Sequence, residues 1–409
     1  MTGKGPVRRR NSAGKSAAAI PSVGLALAGG GPLGGIYEVG ALIALSDSLA
    51  GIDFNDIDVY VGVSSGGFVA AALANGISPT QMYRLFIDDA ADASLSPALF
   101  LRPALGEFAR RGLSLPRLFV GAVLAQIRKA DRRSMMESIA ALSATLSRAI
   151  PTGLFDQRAL DRFLTRLFST PGRSNDFRKL EHKLFVIATN LDTGASTTFG
   201  GPGFDHVPIT NAIEASAALP GLFPPVDIDG AHYVDGALNK TLHASVALDA
   251  GVRLLLCVNP LVPFDASPTP GLDPRDVDKL AHGGLPMVLA QTFRAIIHSR
   301  MEVGMDRYRA QYPDADILLF EPDREDADMF FASIFSYARR KALCEAAYRK
   351  TRQSLFARRA VLEPLLARHG IRLKAEVLSD SQRSIRAALI DTRPLKARKP
   401  GVHQAARDL

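Results

Sequence analysis

The chain has 409 residues, 47% hydrophobic and 22% charged, with a formal net charge of +8; this is enough apolar material for one large α/β domain plus an addition, or for two domains, and it excludes a disordered chain. The two cysteines, Cys257 and Cys344, lie far apart in sequence, which excludes a disulfide framework and fits a reducing, cytoplasmic compartment. No apolar run reaches the ~18 residues of a membrane span, and the basic excess lacks the interleaved aromatics of a nucleic-acid module.

Residues 1–21 are basic and rich in small residues, without the apolar stretch of a secretory signal, and read as a flexible tail. The Gly14-Lys15-Ser16 triplet is no phosphate-binding loop, because Arg9 stands where that loop needs its first glycine. Residues 22–28 are apolar between Pro21 and a glycine run and read as a buried strand. After Gly29-Gly30-Gly31-Pro32-Leu33-Gly34, the spacing of Ile36, Val39, Leu42, Ile43 and Leu45 predicts a helix to Leu49. A second strand over 57–61 runs into Gly62-Val63-Ser64-Ser65-Gly66-Gly67 and then a helix ending at Gly76. Strand, helix, strand, helix with short connections predicts a parallel sheet in an α/β layer.

Residues 80–170 are Leu/Ala-rich without a good strand and read as a helical insertion; its stretch 101–150 holds nine Arg/Lys against three Asp/Glu. Residues 184–199 alternate around Asp192-Thr193-Gly194 and predict a hairpin. A helix near 209–218, a proline-rich turn, a strand pair over 226–236 and a buried strand at 252–258 follow. Residues 263–285 read as a loop, 286–310 and 331–368 as helices, and 316–320 as a strand. The expected organisation is a main α/β domain over 22–260 that carries the insertion, a mostly helical C-terminal extension over 261–378 packed on that core, and a basic tail over 379–409.

Three stretches carry chemistry. A serine between Gly62 and Gly66, at a strand-to-helix turn, is forced into a strained conformation that presents its hydroxyl at the sheet edge. The Gly29–Gly34 loop sits at the equivalent turn one βα unit earlier, where its peptide N–H groups can converge on an oxyanion. The same loop also fits a dinucleotide fingerprint, but that needs an acidic residue closing the second strand, and Gly62 and Ser64 stand there. Asp235-Gly236-Ala237 closes a strand with a carboxylate, which can act as a base once burial raises its pKa. His232 precedes Asp235 by three residues, so in a strand the two face opposite sides and do not pair as a triad requires.

The order GGGxxG, GxSxG, DGA resembles the signature of the patatin-like phospholipases over roughly residues 22–260. The stretch from Ala215-Ser216-Ala217-Ala218 to Phe223-Pro224-Pro225 is similar to the family's small-residue helix and proline turn. The resemblance implies a three-layer α/β/α fold with a mostly parallel sheet. It also implies hydrolysis of phospholipid or related acyl esters by a Ser–Asp dyad with no metal or cofactor. By position, Ser64 is then the nucleophile and Asp235 the base. Gly29, Gly30 and Gly31 supply the oxyanion donors, and Gly34, Gly62, Gly66 and Gly236 support the motifs. Leu33 departs from the Arg or Lys that family members often carry there, which removes a cation from the loop. The expected partners are a lipid ester and, peripherally, an anionic membrane met through the insertion (Arg110, Arg111, Arg117, Arg128, Lys129, Arg132, Arg133) or Arg8–Arg10. A membrane-binding adaptor without turnover and a carboxylesterase for small soluble esters are the competing readings.

Overall fold

The computed structural model describes residues 23–88, 152–265, 282, 284–324 and 339–391. In chain order its elements begin with β1 (Val23–Leu27), α1 (Gly31–Ser48), β2 (Leu49–Ala50), β3 (Val59–Val63), α2 (Ser65–Ala74), α3 (Pro79–Phe86) and α4 (Arg158–Phe168). Then come β4 (Lys183–Asn190), β5 (Ser196–Phe199), α5 (Ile209–Ser216), β6 (Val226–Ile228), β7 (Ala231–Asp235), α6 (Ala244–Asp249) and β8 (Leu254–Val258). The last third holds α7 (Gly284–Gln311), β9 (Asp316–Phe320), α8 (Arg340–Ala357), α9 (Arg359–Ala367), β10 (Arg372–Leu373), α10 (Ala375–Ser379) and α11 (Ile385–Asp391). The central part of the basic insertion, 89–151, residues 1–22 and residues 392–409 lie outside the described residues.

Strands β4, β3, β1, β8 and β9 run parallel in that order, and β5 and β7 pair antiparallel with β4. Because side chains alternate along a strand, each strand feeds two cores. Leu25 and Leu27 of β1 join Leu254 and Leu256 of β8 under α1, α2, α5 and α8. Ala26, Val61, Leu255 and Cys257 face the other way, under α6 and the Met301–Met305 turn of α7. The result is the three-layer α/β/α sandwich that the alternation of strand and helix implies. The Asp192–Gly194 hairpin forms as read, joining β4 and β5. The β6–β7 turn carries Asp229 and Gly230 at φ 54° and 80°, the left-handed pair of a tight hairpin.

Four boundaries differ from the sequence reading. Helix α1 begins at Gly31, not Ile36: Pro32 needs no N–H in a first turn, and Gly34 N already donates to Gly30 O at 3.0 Å. Strand β3 starts two residues later than read, because Ile57 N is held by the Tyr60 hydroxyl at 3.1 Å in the preceding turn. The long helix read from 331 breaks at Arg358, whose Nη1 donates to Leu319 O at 3.0 Å. Finally, the C-terminal part enters the sheets directly. Strand β9 extends the central sheet, β10 pairs with β2, and the stretch read as a tail from 379 stays ordered through α11, with Ile385 buried.

Candidate active site

The sheet brings Ser64 and Asp235 together by register alone. On β4, β5 occupies one edge over Val186–Thr189, so β3 and β7, whose pairings overlap it, both take the other edge. Val63 at the end of β3 pairs with Ile187, and Asp235 at the end of β7 pairs with Ala188, the next residue. The two strands run in opposite directions and meet end to end, with Ser64 leaving one and Asp235 closing the other.

Ser64 sits at φ 53° and ψ −122°, a conformation that costs an L-residue of order 1–3 kcal/mol and persists only where its surroundings impose it. Its N–H donates to Ser216 Oγ at 2.7 Å, and that hydroxyl donates in turn to Ile187 O at 2.5 Å. Its carbonyl accepts from Gly67 N at 3.0 Å, so the elbow runs directly into α2. Glycine is required at Gly66, since a Cβ there would lie 2.5 Å from the Leu27 and Ala28 carbonyls, and Gly62 abuts the Gly66–Gly67 backbone in the same way. Gly236 packs as tightly against the Ile187 carbonyl, holding the end of β7 against β4.

Asp235 is 4% exposed. Its N–H donates to Ala218 O at 3.0 Å and its carbonyl accepts from Thr189 Oγ1 at 3.1 Å. The short segment Ser216–Ala218 therefore holds the backbones of both residues. Oδ1 accepts from Ala237 N at 2.9 Å, and the carboxylate also hydrogen-bonds the Ser64 side chain. Burial pushes the Asp235 pKa up to about 6, against the lowering effect of those two hydrogen bonds.

The glycine loop arrives over this pair. A Cβ on Gly29 would stand 3.0 Å from Ser64 Cβ, and Gly30 and Gly34 are pressed against Pro260. The amides of Gly29, Gly30 and Gly31 donate to no backbone acceptor among the described residues. Ser64, Asp235, Gly30 and Gly31 open onto a cavity of about 310 Å³ walled by apolar side chains, among them Ile36, Val39, Phe68, Phe86, Phe155, Leu164, Ile213 and Phe223. Leu33 is buried in the core below the loop.

The histidines stand elsewhere. His232 lies on the outer side of β7, 3.6 Å from Asp192 and 4.0 Å from Asp227. Buried His243 contacts the Gly236 carbonyl, and burial lowers its pKa to about 4, leaving it neutral. His298 faces Glu302. Among the described residues no three His, Cys, Asp or Glu side chains gather as a metal site would need.

Sequence reasoning named Ser216 only as part of a small-residue stretch and missed its grip on Ser64. It also missed Gln157, whose Nε2 donates to Ala217 O at 3.1 Å beside the cavity, and Arg294 of α7 in the cavity wall. A hydroxyl inside an otherwise alanine-rich helix end was the available signal for Ser216. No local pattern marks the other two.

Among solved structures the chain is similar to VipD from Legionella pneumophila, at 16% identity over 83% of this chain and 67% of that one, with a TM-score of 0.37. It is also similar to the type III effector ExoU, known from Pseudomonas aeruginosa, at 16% identity over 81% of this chain and 52% of that one, with a TM-score of 0.30. For human GIVD cytosolic phospholipase A2 the figures are 14%, 63%, 46% and 0.23. The chain thus spans about half the length of ExoU. The sequence profile described as "Patatin-like phospholipase" matches residues 25–248, which take in the glycine loop, the serine elbow and Asp235 and make up more than half of the chain; the protein belongs to the patatin-like phospholipase family.

Proposed function

We propose that the protein is a serine acyl hydrolase of phospholipids or related lipid esters, working through a Ser64–Asp235 dyad. The observation that carries this reading is a strained serine hydrogen-bonded to a desolvated aspartate, both opening onto one apolar cavity. A hydroxyl attacks an ester only as its proton leaves. With a pKa near 6, Asp235 is ionised at neutral pH yet basic enough to take that proton. The bond from Ser64 Oγ to the ester carbonyl carbon forms, and the carbonyl oxygen becomes an oxyanion. The Gly29–Gly31 amides, with the N-terminal ends of α1 and α2 beside them, supply positive potential there, each donor worth about 3 kcal/mol of barrier. The ester C–O bond then breaks and Asp235 returns the proton to the departing alcohol. Water repeats the sequence on the acyl-enzyme and releases the fatty acid.

The apolar cavity accepts the acyl chain, and α7 offers a way in from a bilayer. Its Phe293 lines the cavity while remaining 46% exposed, and Val288, Leu289 and Ile296 beside it are exposed as well. An apolar helix face at the mouth is what peripheral contact with a lipid surface needs. The test is fatty-acid release from a panel of phospholipids, neutral glycerides and soluble esters, with Ser64→Ala as control. Activity that is highest on long-chain lipids and absent in the control is expected. Turnover restricted to short soluble esters would replace the lipid reading with that of a simple carboxylesterase.

A further inference from the structure

Glu38 lies inside α1, 0% exposed, and neither of its carboxyl oxygens has a hydrogen-bond partner among the described residues. At about 100° per residue it falls between Gly34 and Gly35 of the turn before and in line with Ala41, Leu42 and Leu45 of the turns after. Those three are fully buried, and such a stripe ordinarily carries apolar groups alone. A helical side chain leans toward the N-terminus, so the carboxyl is directed at the turn of Gly34 and Gly35. Both glycines meet Ser65, the residue after the nucleophile. A Cβ on Gly34 would stand 3.3 Å from Ser65 Oγ, and one on Gly35 3.5 Å from Ser65 Cβ. The Ser65 hydroxyl is itself buried without a partner among the described residues. Glu38 therefore occupies the seam between the helix that carries the glycine loop and the helix that carries Ser64, about 10 Å along the axis from Gly31.

No cation balances it. Helix α2 has no ionisable side chain. Helix α8 packs on the opposite side of α1, where Gly40 abuts the Cys344 carbonyl and Tyr348 and Arg383 bond Asp47. On α3, Arg84 donates to Leu389 O, and Tyr83 lies among Cys344, Asp88, Lys341 and Glu345. Glu376 of α10 and Arg386 of α11 are exposed. Toward Pro260, Glu321 is bonded by Asn259 Nδ2 at 3.3 Å and lies among His298, Glu302 and Arg324. None of these charges bears on Glu38, whose pKa is pushed well above the ordinary carboxylate value by burial alone. The neutral acid is the form that this dry site holds at neutral pH.

Ionised, Glu38 would set a negative charge behind the glycine loop, against the positive potential of the α1 and α2 N-termini. Across about 10 Å, in a medium of dielectric constant about 20, a unit charge weakens an oxyanion by a factor of about ten. Resting on the acyl-hydrolase reading above, we infer that Glu38 is an alkaline brake built into the fold: full turnover requires its neutral acid, and loss of that proton weakens the oxyanion hole. The described residues lining the cavity include no Lys, Tyr, Cys or His that would titrate in its stead. Arg294, whose pKa burial pushes down to about 10, is the one other group there that loses a proton on the alkaline side.

The experiment measures kcat for a saturating p-nitrophenyl ester from pH 5 to pH 10 in wild type, Glu38→Gln and Glu38→Met, with circular dichroism at each pH and Ser64→Ala as the blank. In the wild type, kcat should fall about tenfold on the alkaline side with the fold intact. Both variants should lack that limb, each judged against its own value at pH 7, while the acid limb near 6 that belongs to Asp235 stays in all three. A wild-type kcat that stays level to pH 10 overturns the inference, as does an alkaline fall that follows the loss of circular dichroism. The same limb in Glu38→Gln and Glu38→Met overturns it in favour of Arg294. No turnover by the wild type at any pH removes the hydrolase reading itself.

Discussion

Ser64 holds its left-handed backbone because three neighbours over-determine it: Ser216 takes its N–H, Gly67 caps its carbonyl, and Gly66 lets the β1 carbonyls approach. Removing its hydroxyl disturbs none of these. Ser64→Ala should therefore keep the fold, by circular dichroism and melting temperature, while hydrolysis falls to background. Asp235 makes a sharper prediction because its pKa runs against stability. A folded value near 6 lies above the ~3.9 of an unfolded aspartate. The native state thus binds the extra proton between those values. The associated stability is complete below pH ~4 and is lost as pH rises through 6. Asp235→Asn should abolish turnover and yet raise stability at pH 8, by on the order of 2 kcal/mol in urea unfolding. The gain should vanish near pH 4. In the wild type, kcat/KM should fall as pH drops through about 6, when the base becomes protonated. A stability gain independent of pH would contradict the account of Asp235.

At the scale of elements, the site depends on a loop between two secondary structures rather than on the structures themselves. Ser216–Ala218, at the end of α5, holds the backbones of Ser64 and Asp235 together. Ser216→Ala leaves the Ser64 amide buried without its acceptor and should cost about 1–3 kcal/mol in chemical unfolding, together with most of the activity. The exposed apolar face of α7 should matter most for the lipid surface. Phe293→Ser with Ile296→Ser should reduce activity on vesicles several-fold more than activity on a monomeric ester, and equal losses would show that this face serves only packing. Much of this level was legible in the sequence. The two strand–turn–helix junctions announced themselves through glycines at positions where no side chain fits, and both hairpins through Asp and Gly at their turns. The start of α1 was not legible. A Gly-Pro-Leu-Gly stretch disfavours a helix locally, and only its burial between sheet and α8 makes it one. Arg294 was equally invisible, because its place in the wall follows from how α7 docks far along the chain.

Over the whole molecule, residues 379–391, read from the sequence as part of a basic tail, help to close the fold. Arg383 forks onto Asp47, with Nε to Oδ2 at 2.7 Å and Nη2 to Oδ1 at 2.8 Å, and the Tyr348 hydroxyl adds a bond to Oδ2 at 2.7 Å. Burial alone would raise the Asp47 pKa, but hydrogen bonds from Arg383 and Tyr348 outweigh it and hold the carboxyl below its ordinary value. This ion pair ties α8 and the last helices to the end of α1, the helix whose other end is the glycine loop. Breaking it with Arg383→Leu leaves a buried carboxylate uncompensated and should cost about 3 kcal/mol, read from urea unfolding. A variant with wild-type stability would show the closure to be superficial. This closure was not legible beforehand, because a basic C-terminus reads as solvated until its partner across the chain is known. The central requirement is that Ser64 act as a nucleophile activated by Asp235. The most direct measurement is intact-mass and peptide spectrometry after exposure to a long-chain fluorophosphonate at pH 8. One adduct, mapped to Ser64, absent in Ser64→Ala and formed at least ~100-fold more slowly in Asp235→Asn, is the predicted result; an adduct on another residue, or equal labelling of Ser64→Ala, would contradict it.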